Sequence, residues 1–165
     1  MTPVHGRLVG IYTAPDAATP MRSYDQLLAV ERVGLDGDRY AKRTGTYSPR
    51  GGPGREITLI EREAIAAVNQ DLGVELAERE TRRNLVTDGV SLLFLVGKTF
   101  RVGEVVLHGV RTCPPCTHLE SLTRPGVHQA LAYRGGLRAD IVRGGTLRIG
   151  DEIIVNEPGA QPEPS

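Results

Sequence analysis

The sequence predicts a mainly β fold of barrel type with one to three short helices. Its 165 residues include 20 glycines and 11 prolines but no tryptophan, a composition typical of short elements joined by tight turns. Roughly six to eight short β-like segments follow one another with glycine at nearly every junction. This pattern favours a barrel or a strongly bent sheet over a doubly wound parallel sheet.

The length of the chain predicts one domain, residues 1–156, followed by a disordered tail, residues 157–165. A hydrophobic content of 39% in 165 residues is enough for one core but not for two ordinary domains. The C-terminal sequence PGAQPEPS is proline-rich and polar, so it has little surface to bury.

The charge balance argues against a nucleic-acid or membrane partner. Twenty basic and twenty acidic side chains cancel, so no whole-protein field draws the chain to a polyanion. The apolar stretch Val90 to Val96 is far shorter than the roughly 20 residues of a membrane-spanning helix, and the N-terminus lacks a signal layout. We therefore expect a cytoplasmic protein, in which two cysteines serve reactivity or metal binding rather than disulfide stapling.

The first half of the chain predicts two strands, two loops and one strand–helix pair. Alternating apolar residues indicate the strands, and glycine and proline indicate the loops. Ile65, Val68 and Leu72 share one helical face, and Gly73 ends that helix. In order, the predicted elements are a strand at Gly6–Thr13, a strand at Leu27–Val33, a tight turn at Gly34–Arg39, a long loop at Thr44–Arg55, a strand at Ile57–Ile60 and a helix at Glu61–Leu72.

The second half is predicted to be a series of short strands after a charged stretch, with one further helix around Val127–Tyr133. The predicted strands are Asn84–Thr87, Thr99–Val102, Val105–Arg111, Leu137–Val142, Leu147–Ile149 and Glu152–Val155.

The segment RTCPPCTH, residues 111–118, is the first candidate for chemistry. A thiol reacts or binds metal as thiolate, which nearby positive charge such as that of Arg111 favours. Three interpretations stay open for Cys113 and Cys116: a redox dithiol, buried structural thiols, or a zinc site. The zinc site would add two of His108, His118 and His128.

A set of cations is the second candidate, because arginine's planar fork suits phosphate and oxyanion recognition. Only convergence in space would distinguish these cations from ordinary surface charges. The P-loop, GxGxxG, HExxH and GxSxG motifs are absent from the sequence. The set comprises Arg39, Lys42, Arg50, Arg55, Arg82, Arg83 and Arg138.

Five sequence blocks in order resemble the MOSC family, the domain found at the C-terminus of molybdenum cofactor sulfurases. The resemblance runs from about Gly34 to Ile153 and implies a compact, mostly β fold of barrel type. The blocks are GLDGDRYA (34–41), ITLIEREAI (57–65), RRNLVTDGVSL (82–92), FRVGEVVLHGVRTCPPCTHLE (100–120) and YRGGLRADIVRGGTLRIGDEI (133–153).

The resemblance implies a site that holds the molybdenum cofactor, molybdopterin. In better understood members a cysteine ligates molybdenum, and Cys116 in PCTHLE matches that position, which makes it the expected metal ligand and catalytic residue. Cys113 is then a resolving partner or a packed neighbour. With Arg138 from the cationic set, the expected cofactor-binding residues are Asp38, Arg39, Arg82, Arg83, Asn84 and Arg138.

The resemblance implies reduction of an N-hydroxylated or N-oxide substrate, with electrons from an external donor. The cofactor-binding enzymes of the family carry an additional N-terminal β domain, whereas only about thirty residues precede the first block here. A sulfur carrier is the alternative function: Cys116 would accept sulfur as a persulfide from a donor such as a cysteine desulfurase. A barrel that only binds a ligand is the third possibility.

Overall fold

The computed structural model describes residues 4–15, 20–38, 54, 56–113, 134 and 136–155. Within these residues eleven strands and one α-helix follow one another, with two short 3-10 turns at Glu78–Thr81 and Leu93–Leu95. The strands and helix are β1 (Val4–Thr13), β2 (Arg22–Ser23), β3 (Gln26–Val30), β4 (Gly34–Leu35), β5 (Ile57–Glu61), α1 (Arg62–Leu72), β6 (Leu85–Asp88), β7 (Thr99–Val102), β8 (Val105–Thr112), β9 (Leu137–Arg143), β10 (Gly145–Arg148) and β11 (Glu152–Val155).

Seven of these strands close into a barrel, which confirms the predicted fold class. The order around the barrel is β1, β11, β7, β8, β9, β5 and β6, and β6 pairs with β1 again. The pairing of β5 with β6 is parallel, and the other six pairings are antiparallel. Helix α1 provides the crossover that the parallel pair requires.

The barrel interior is filled by aliphatic side chains, because each strand directs every second residue inward. Ile57 and Leu59 of β5 are fully buried in this core, whereas Thr58 and Ile60 between and after them face outward. A separate sheet of β10, β3 and β4 adds Ala29, Leu35 and Leu147 to the same core.

Helix α1 covers part of the outer surface of the barrel. Ala64, Ile65 and Val68 form its buried face and pack on Ile60 of β5 and Val86 of β6. Burial of each large aliphatic side chain stabilises the fold by about 1.5–3 kcal/mol. The helix ends at Gly73, whose left-handed φ of 64° lets its N–H group bond back to the carbonyl of Asn69.

Most predicted elements are present, with small differences at their ends. The helix begins at Arg62, one residue after its predicted start, and β8 extends to Thr112. Strand β3 ends at Val30 rather than at Val33, because Arg32 has a left-handed φ of 60° and Val33 donates a turn hydrogen bond to Val30. The predicted helix around residues 127–133, the tail, and the 44–55 loop apart from Gly54 lie outside the described residues.

No helix within the described residues has the length and apolar character needed to cross a membrane.

Candidate functional site

A row of polar residues crosses neighbouring strands on the outer face of the barrel. Strand register pairs Arg111 of β8 with Arg138 of β9, and Arg138 with Thr58 of β5. Asn84, immediately before β6, hydrogen bonds to Thr58 and so continues the row. We call Arg111, Arg138, Thr58 and Asn84 the polar row. It brings together two residues of the expected site, Asn84 and Arg138, which are far apart in the sequence.

Asn84 is fully buried, and its side chain links three segments of the barrel. Its Oδ1 accepts hydrogen bonds from the backbone N–H of Thr58 at 3.0 Å and from the Thr58 hydroxyl at 3.1 Å. Its Nδ2 donates to the carbonyl of Tyr12 at 3.1 Å, and its own backbone N–H donates to the Thr58 hydroxyl oxygen at 3.0 Å. These contacts give Asn84 a role in holding β1, β5 and the start of β6 together.

Arg83 is buried beside the end of β8, with only 7% of its surface exposed. Its Nη2 donates a hydrogen bond of 3.2 Å to the carbonyl of Cys113. The N–H of Cys113 in turn donates to the carbonyl of Gly136 at 2.7 Å. Cys113 itself has a free thiol and is 1% exposed.

Gly54, three residues before β5, lies against the polar row. Its N–H donates to Oδ1 of Asp140 at 2.8 Å. A Cβ atom added to Gly54 would lie 2.8 Å from Nη1 of Arg111 and 3.4 Å from Cβ of Arg138. Gly54 therefore leaves room for the guanidinium group of Arg111 and for the base of the Arg138 side chain. Nη1 of Arg138 is shielded from solvent.

Two carboxyl groups lie next to the cations on β9. Oε1 of Glu56 accepts the N–H of Ile141 at 2.8 Å. Burial raises the pKa of Glu56 above its ordinary value, and the charge of Asp140 and a hydrogen bond with it act in the same direction. This side of the site thus offers both hydrogen-bond donors and a carboxyl group whose pKa is raised by burial.

Asp38 and Arg82 are two further residues of the expected site that the structure describes. Asp38 is fully buried and accepts the N–H of Ala14 at 3.1 Å, two residues after Tyr12 contacts Asn84. Arg82 precedes Arg83 with a left-handed φ of 64°, a conformation that a residue other than glycine adopts at a cost.

Cys116 and Arg39, the expected metal ligand and one expected cofactor-binding residue, lie outside the described residues. In the sequence, residues 39–53 precede Gly54 and residues 114–133 follow Cys113.

The zinc interpretation receives no support from the described part of the chain. No group of three or more His, Cys, Asp or Glu side chains there is arranged to hold a metal ion. Nδ1 of His108 forms a 3.0 Å hydrogen bond with the hydroxyl of Thr99 on the exposed surface. His118 and His128 lie outside the described residues.

Sequence reasoning did not identify four polar residues of this region: Tyr12, Glu56, Thr58 and Asp140. A weak signal was present for two of them. Thr58 interrupts the apolar run ITLI, and Asp140 interrupts LRADIV, so both are polar positions inside buried strands. A buried polar side chain in a strand needs a partner, and such partners are often supplied by a polar cluster.

A concavity lies near the start of β1 and contains none of the expected site residues. It is a shallow depression of about 310 Å³, lined by His5, Gly6, Arg7, Asp88, Gly89 and Glu152.

Comparison with known proteins identifies a family and a set of similar folds. The sequence profile of the MOSC domain matches residues 46–154. The structure is similar to the YUAD protein from Bacillus subtilis, with a TM-score of 0.77, 18% identity, and coverage of 93% of this chain and 97% of that one.

Two YiiM proteins are also similar in structure. For YiiM from Escherichia coli the TM-score is 0.66 at 17% identity, covering 98% of this chain and 72% of that one. For YiiM from Geobacillus stearothermophilus it is 0.68 at 14% identity, covering 93% and 76%. At these identities the likeness shows a shared fold. No curated protein matches the chain significantly.

Proposed function

The chain belongs to the MOSC domain family, and from that premise we propose that it binds the molybdenum cofactor through the thiolate of Cys116. The observation that carries the proposal is the hydrogen bond from Arg83 to the carbonyl of Cys113, at the end of a strand on which Arg111 pairs with Arg138 of β9. Cys116 follows Cys113 by three residues in the sequence. Buried cations close to a cysteine favour the thiolate form of its side chain, and they can also bind the anionic groups of a cofactor.

The donor set fits a phosphate-bearing pterin cofactor. Arg83 and Arg138 are 7% and 8% exposed, so their guanidinium groups act in a medium that screens charge less than water does. Arginine forks bind phosphate in a bidentate manner. The absence of a side chain at Gly54 allows the guanidinium group of Arg111 to occupy its position beside Arg138, because a Cβ atom there would lie 2.8 Å from Nη1 of Arg111.

The roles of the residues follow from this chemistry. Cys116 supplies a soft sulfur ligand, which suits molybdenum. Arg83, Arg138 and Arg39 hold the anionic groups, Asp38 and Asn84 keep the surrounding backbone in place, and Arg82 adds positive charge. When bound, the cofactor supplies two-electron chemistry, in which an N–O bond is cleaved with two protons and the oxygen leaves as water. The electrons come from an external donor protein.

Metal and pterin analysis of the purified protein tests the proposal. Wild-type protein from cells that make the cofactor is expected to contain molybdenum and pterin near one equivalent each. Cys116→Ser is expected to lose the molybdenum, whereas the matched control Cys113→Ala, which removes a buried thiol, is expected to keep it. Wild-type protein with neither molybdenum nor pterin would refute cofactor binding.

A sulfur carrier is the second candidate, and the same buried arginines favour it. A persulfide on Cys116 is an anion near neutral pH, and guanidinium donors stabilise it as they stabilise phosphate. In the transfer, the S–S bond of the donor's persulfide breaks, a new S–S bond forms at Cys116, and the donor keeps a thiol. Cyanide-labile sulfur on Cys116 after incubation with a cysteine desulfurase is expected for a carrier. Its absence in metal-free wild-type protein would exclude this role.

A further inference from the structure

Two Asp-Gly pairs occur in the sequence, Asp36-Gly37 and Asp88-Gly89, and both are exposed. In such a pair the backbone nitrogen of glycine can attack the side-chain carboxyl group of aspartate, because glycine has no Cβ to shield that nitrogen. The attack needs a glycine N–H group that solvent reaches and that no acceptor holds. The surroundings of each glycine therefore decide which pair reacts.

Asp36-Gly37 occupies the centre of a turn that leaves the glycine nitrogen open. The N–H of Asp38 bonds to the carbonyl of Leu35 at 3.0 Å, and Gly37 has a φ of 79° whereas the φ of Asp36 is not positive, which defines a type II turn. The closing bond of such a turn does not use the N–H of Gly37. Among the described residues no group accepts this N–H, and no atom lies within 4 Å of a Cβ added to Gly37.

Asp88-Gly89 has the same local chemistry, but its glycine nitrogen is held. The N–H of Gly89 donates to Oε2 of Glu63 on α1 at 2.8 Å. The φ of Gly89 is 80°, close to that of Gly37, so glycine conformation does not separate the two pairs. A charge-assisted hydrogen bond must break before the nitrogen of Gly89 can attack. The second pair is therefore an internal reference for the first.

We propose that Asp36 is a site of spontaneous isoaspartate formation and that the hydrogen bond from Gly89 to Glu63 protects Asp88 from the same reaction. In the first step the nitrogen of Gly37 bonds to Cγ of Asp36, a Cγ–O bond breaks, and the carboxyl OH leaves as water with the amide proton. In the second step water adds to the main-chain carbonyl carbon of the succinimide, and the bond from that carbon to nitrogen breaks. The chain then continues through the Asp36 side chain, and no oxidant or cofactor takes part.

The modification would change the backbone directly before a residue of the expected cofactor site. Isoaspartate adds one methylene group to the main chain between Leu35 and Asp38, whose hydrogen bond closes the turn. Asp38 is fully buried, and its carboxylate accepts the N–H of Ala14 at 3.1 Å. The longer backbone has to displace one of these two contacts. The product also belongs to the chemical class on which isoaspartate-specific carboxyl methyltransferases act.

Peptide mapping of aged wild-type protein measures both pairs in one sample. Trypsin releases residues 33–39 and residues 84–98 as separate peptides, each with one Asp-Gly pair. Isoaspartate peptides keep their mass, separate in chromatography, and accept a labelled methyl group from an isoaspartyl methyltransferase. After incubation of folded protein at neutral pH, isoaspartate at Asp36 is expected to exceed that at Asp88 by about fivefold or more, because only Gly89 must first lose a hydrogen bond. In labelled water the product should gain one heavy oxygen atom.

Three comparisons test the protective contact and the identity of the site. Glu63→Ala removes the acceptor and is expected to raise the rate at Asp88 towards that at Asp36, whereas Glu63→Gln keeps an oxygen acceptor and should lie closer to wild type. Asp36→Glu should abolish the product in residues 33–39, because cyclisation would need a larger ring. In urea the two pairs of the wild-type chain should react at similar rates, since the structural difference is gone.

Equal rates at Asp36 and Asp88 in the folded wild-type protein would overturn the proposal. So would an unchanged rate at Asp88 in Glu63→Ala, because the hydrogen bond would then give no protection. The comparison of folded and urea-unfolded wild type does not depend on how well any variant folds. None of these measurements involves molybdenum, so they stand apart from the outcome for the proposed function.

Discussion

Asn84 shows how one side chain can satisfy several buried groups. The resemblance predicted it as a cofactor-binding residue, and that role stays a prediction. The described contacts show instead that its amide bonds to Thr58 twice and to the Tyr12 carbonyl, all at 3.0–3.1 Å. A buried polar group that loses its partner costs about 1–3 kcal/mol.

Asn84→Ala is therefore expected to lower the free energy of unfolding by about 3 kcal/mol, because it leaves the Thr58 N–H and the Tyr12 carbonyl without this partner. Urea unfolding followed by circular dichroism measures the change. Thr99→Val removes an exposed hydrogen bond to His108 and should stay within about 0.5 kcal/mol of wild type. A loss below about 1 kcal/mol in Asn84→Ala would mean that these bonds contribute little.

At the scale of elements, β1 is the described strand with the most pairing partners. Its first half pairs with β11 and closes the barrel, and its second half pairs with β6 and then with β2. Tyr12 near its end also donates a 2.8 Å hydrogen bond to Glu78 of the 3-10 turn. Glu78 in turn accepts two bonds from Arg62 at the start of α1. One strand thus connects the barrel with the turn and the helix outside it.

The hydrogen bond between Tyr12 and Glu78 should make the stability of the fold sensitive to alkaline pH. Burial raises the pKa of Tyr12 from 10.0 to about 12, and the hydrogen bond and negative charge of Glu78 act in the same direction. The folded pKa exceeds the unfolded one, so the contribution of Tyr12 is complete below pH 10 and is lost as the pH rises through about 12.

The midpoint of wild-type unfolding is therefore expected to decrease as the pH is raised from about 10 to about 12, and it should decrease less in Tyr12→Phe. Absorbance of tyrosinate should show one late-titrating tyrosine that is missing in the variant. Glu78→Gln removes the negative charge and should move this titration to lower pH. An unchanged pH profile in Tyr12→Phe would assign the alkaline loss to other groups.

The close approach of Gly136, just before β9, to Leu59 of β5 leads to another expectation at this scale. Gly136→Ala would force a Cβ atom onto the Leu59 carbonyl at a φ of 107°, so we expect a loss of about 3 kcal/mol or more in unfolding free energy. Gly37→Ala is the matched control, because its φ is 79° but no atom lies within 4 Å of the added Cβ. It should cost about 1–2 kcal/mol. Equal losses of unfolding free energy in the two variants, measured by urea unfolding, would show that the structure shifts to relieve the contact at Leu59.

At the scale of the whole molecule, the barrel has a core that is complete without a metal or a cofactor. Its buried cluster consists of aliphatic residues and one phenylalanine, Phe100, and hydrogen-bonded closure of β1 on β11 leaves no gap in the ring of strands. The candidate site lies on the outer face of this ring, where the polar row crosses β8, β9 and β5. Fold and site are therefore built from opposite faces of the same strands.

Protein from cells that cannot make the cofactor is expected to unfold in one cooperative transition. A metal chelator should leave its midpoint unchanged, because the described core contains no metal-binding group that holds the strands together. Cofactor-loaded protein should have a higher unfolding midpoint, because ligand binding to the native state adds to the free energy of unfolding. Unfolding by the chelator alone would instead indicate a structural metal site of the zinc type.

The sequence by itself determined the local features of this protein. The mostly apolar run ITLI predicted the strand β5, and the spacing of Ile65 and Val68 predicted the buried face of α1. Glycine-rich junctions between short segments indicated a β fold, and five ordered blocks indicated the family. These features were readable because period and turn chemistry depend on residues that are close in the chain.

The tertiary structure alone decided which strands are neighbours and which polar residues meet. No local pattern shows that β5 pairs in parallel with β6 or that β1 closes on β11. Likewise, the bond from Arg83 to Cys113 joins elements separated by two strands of the barrel. Packing of the whole core fixes strand order and register. Two strands that are distant in the chain pair when their pairing buries the apolar faces of both.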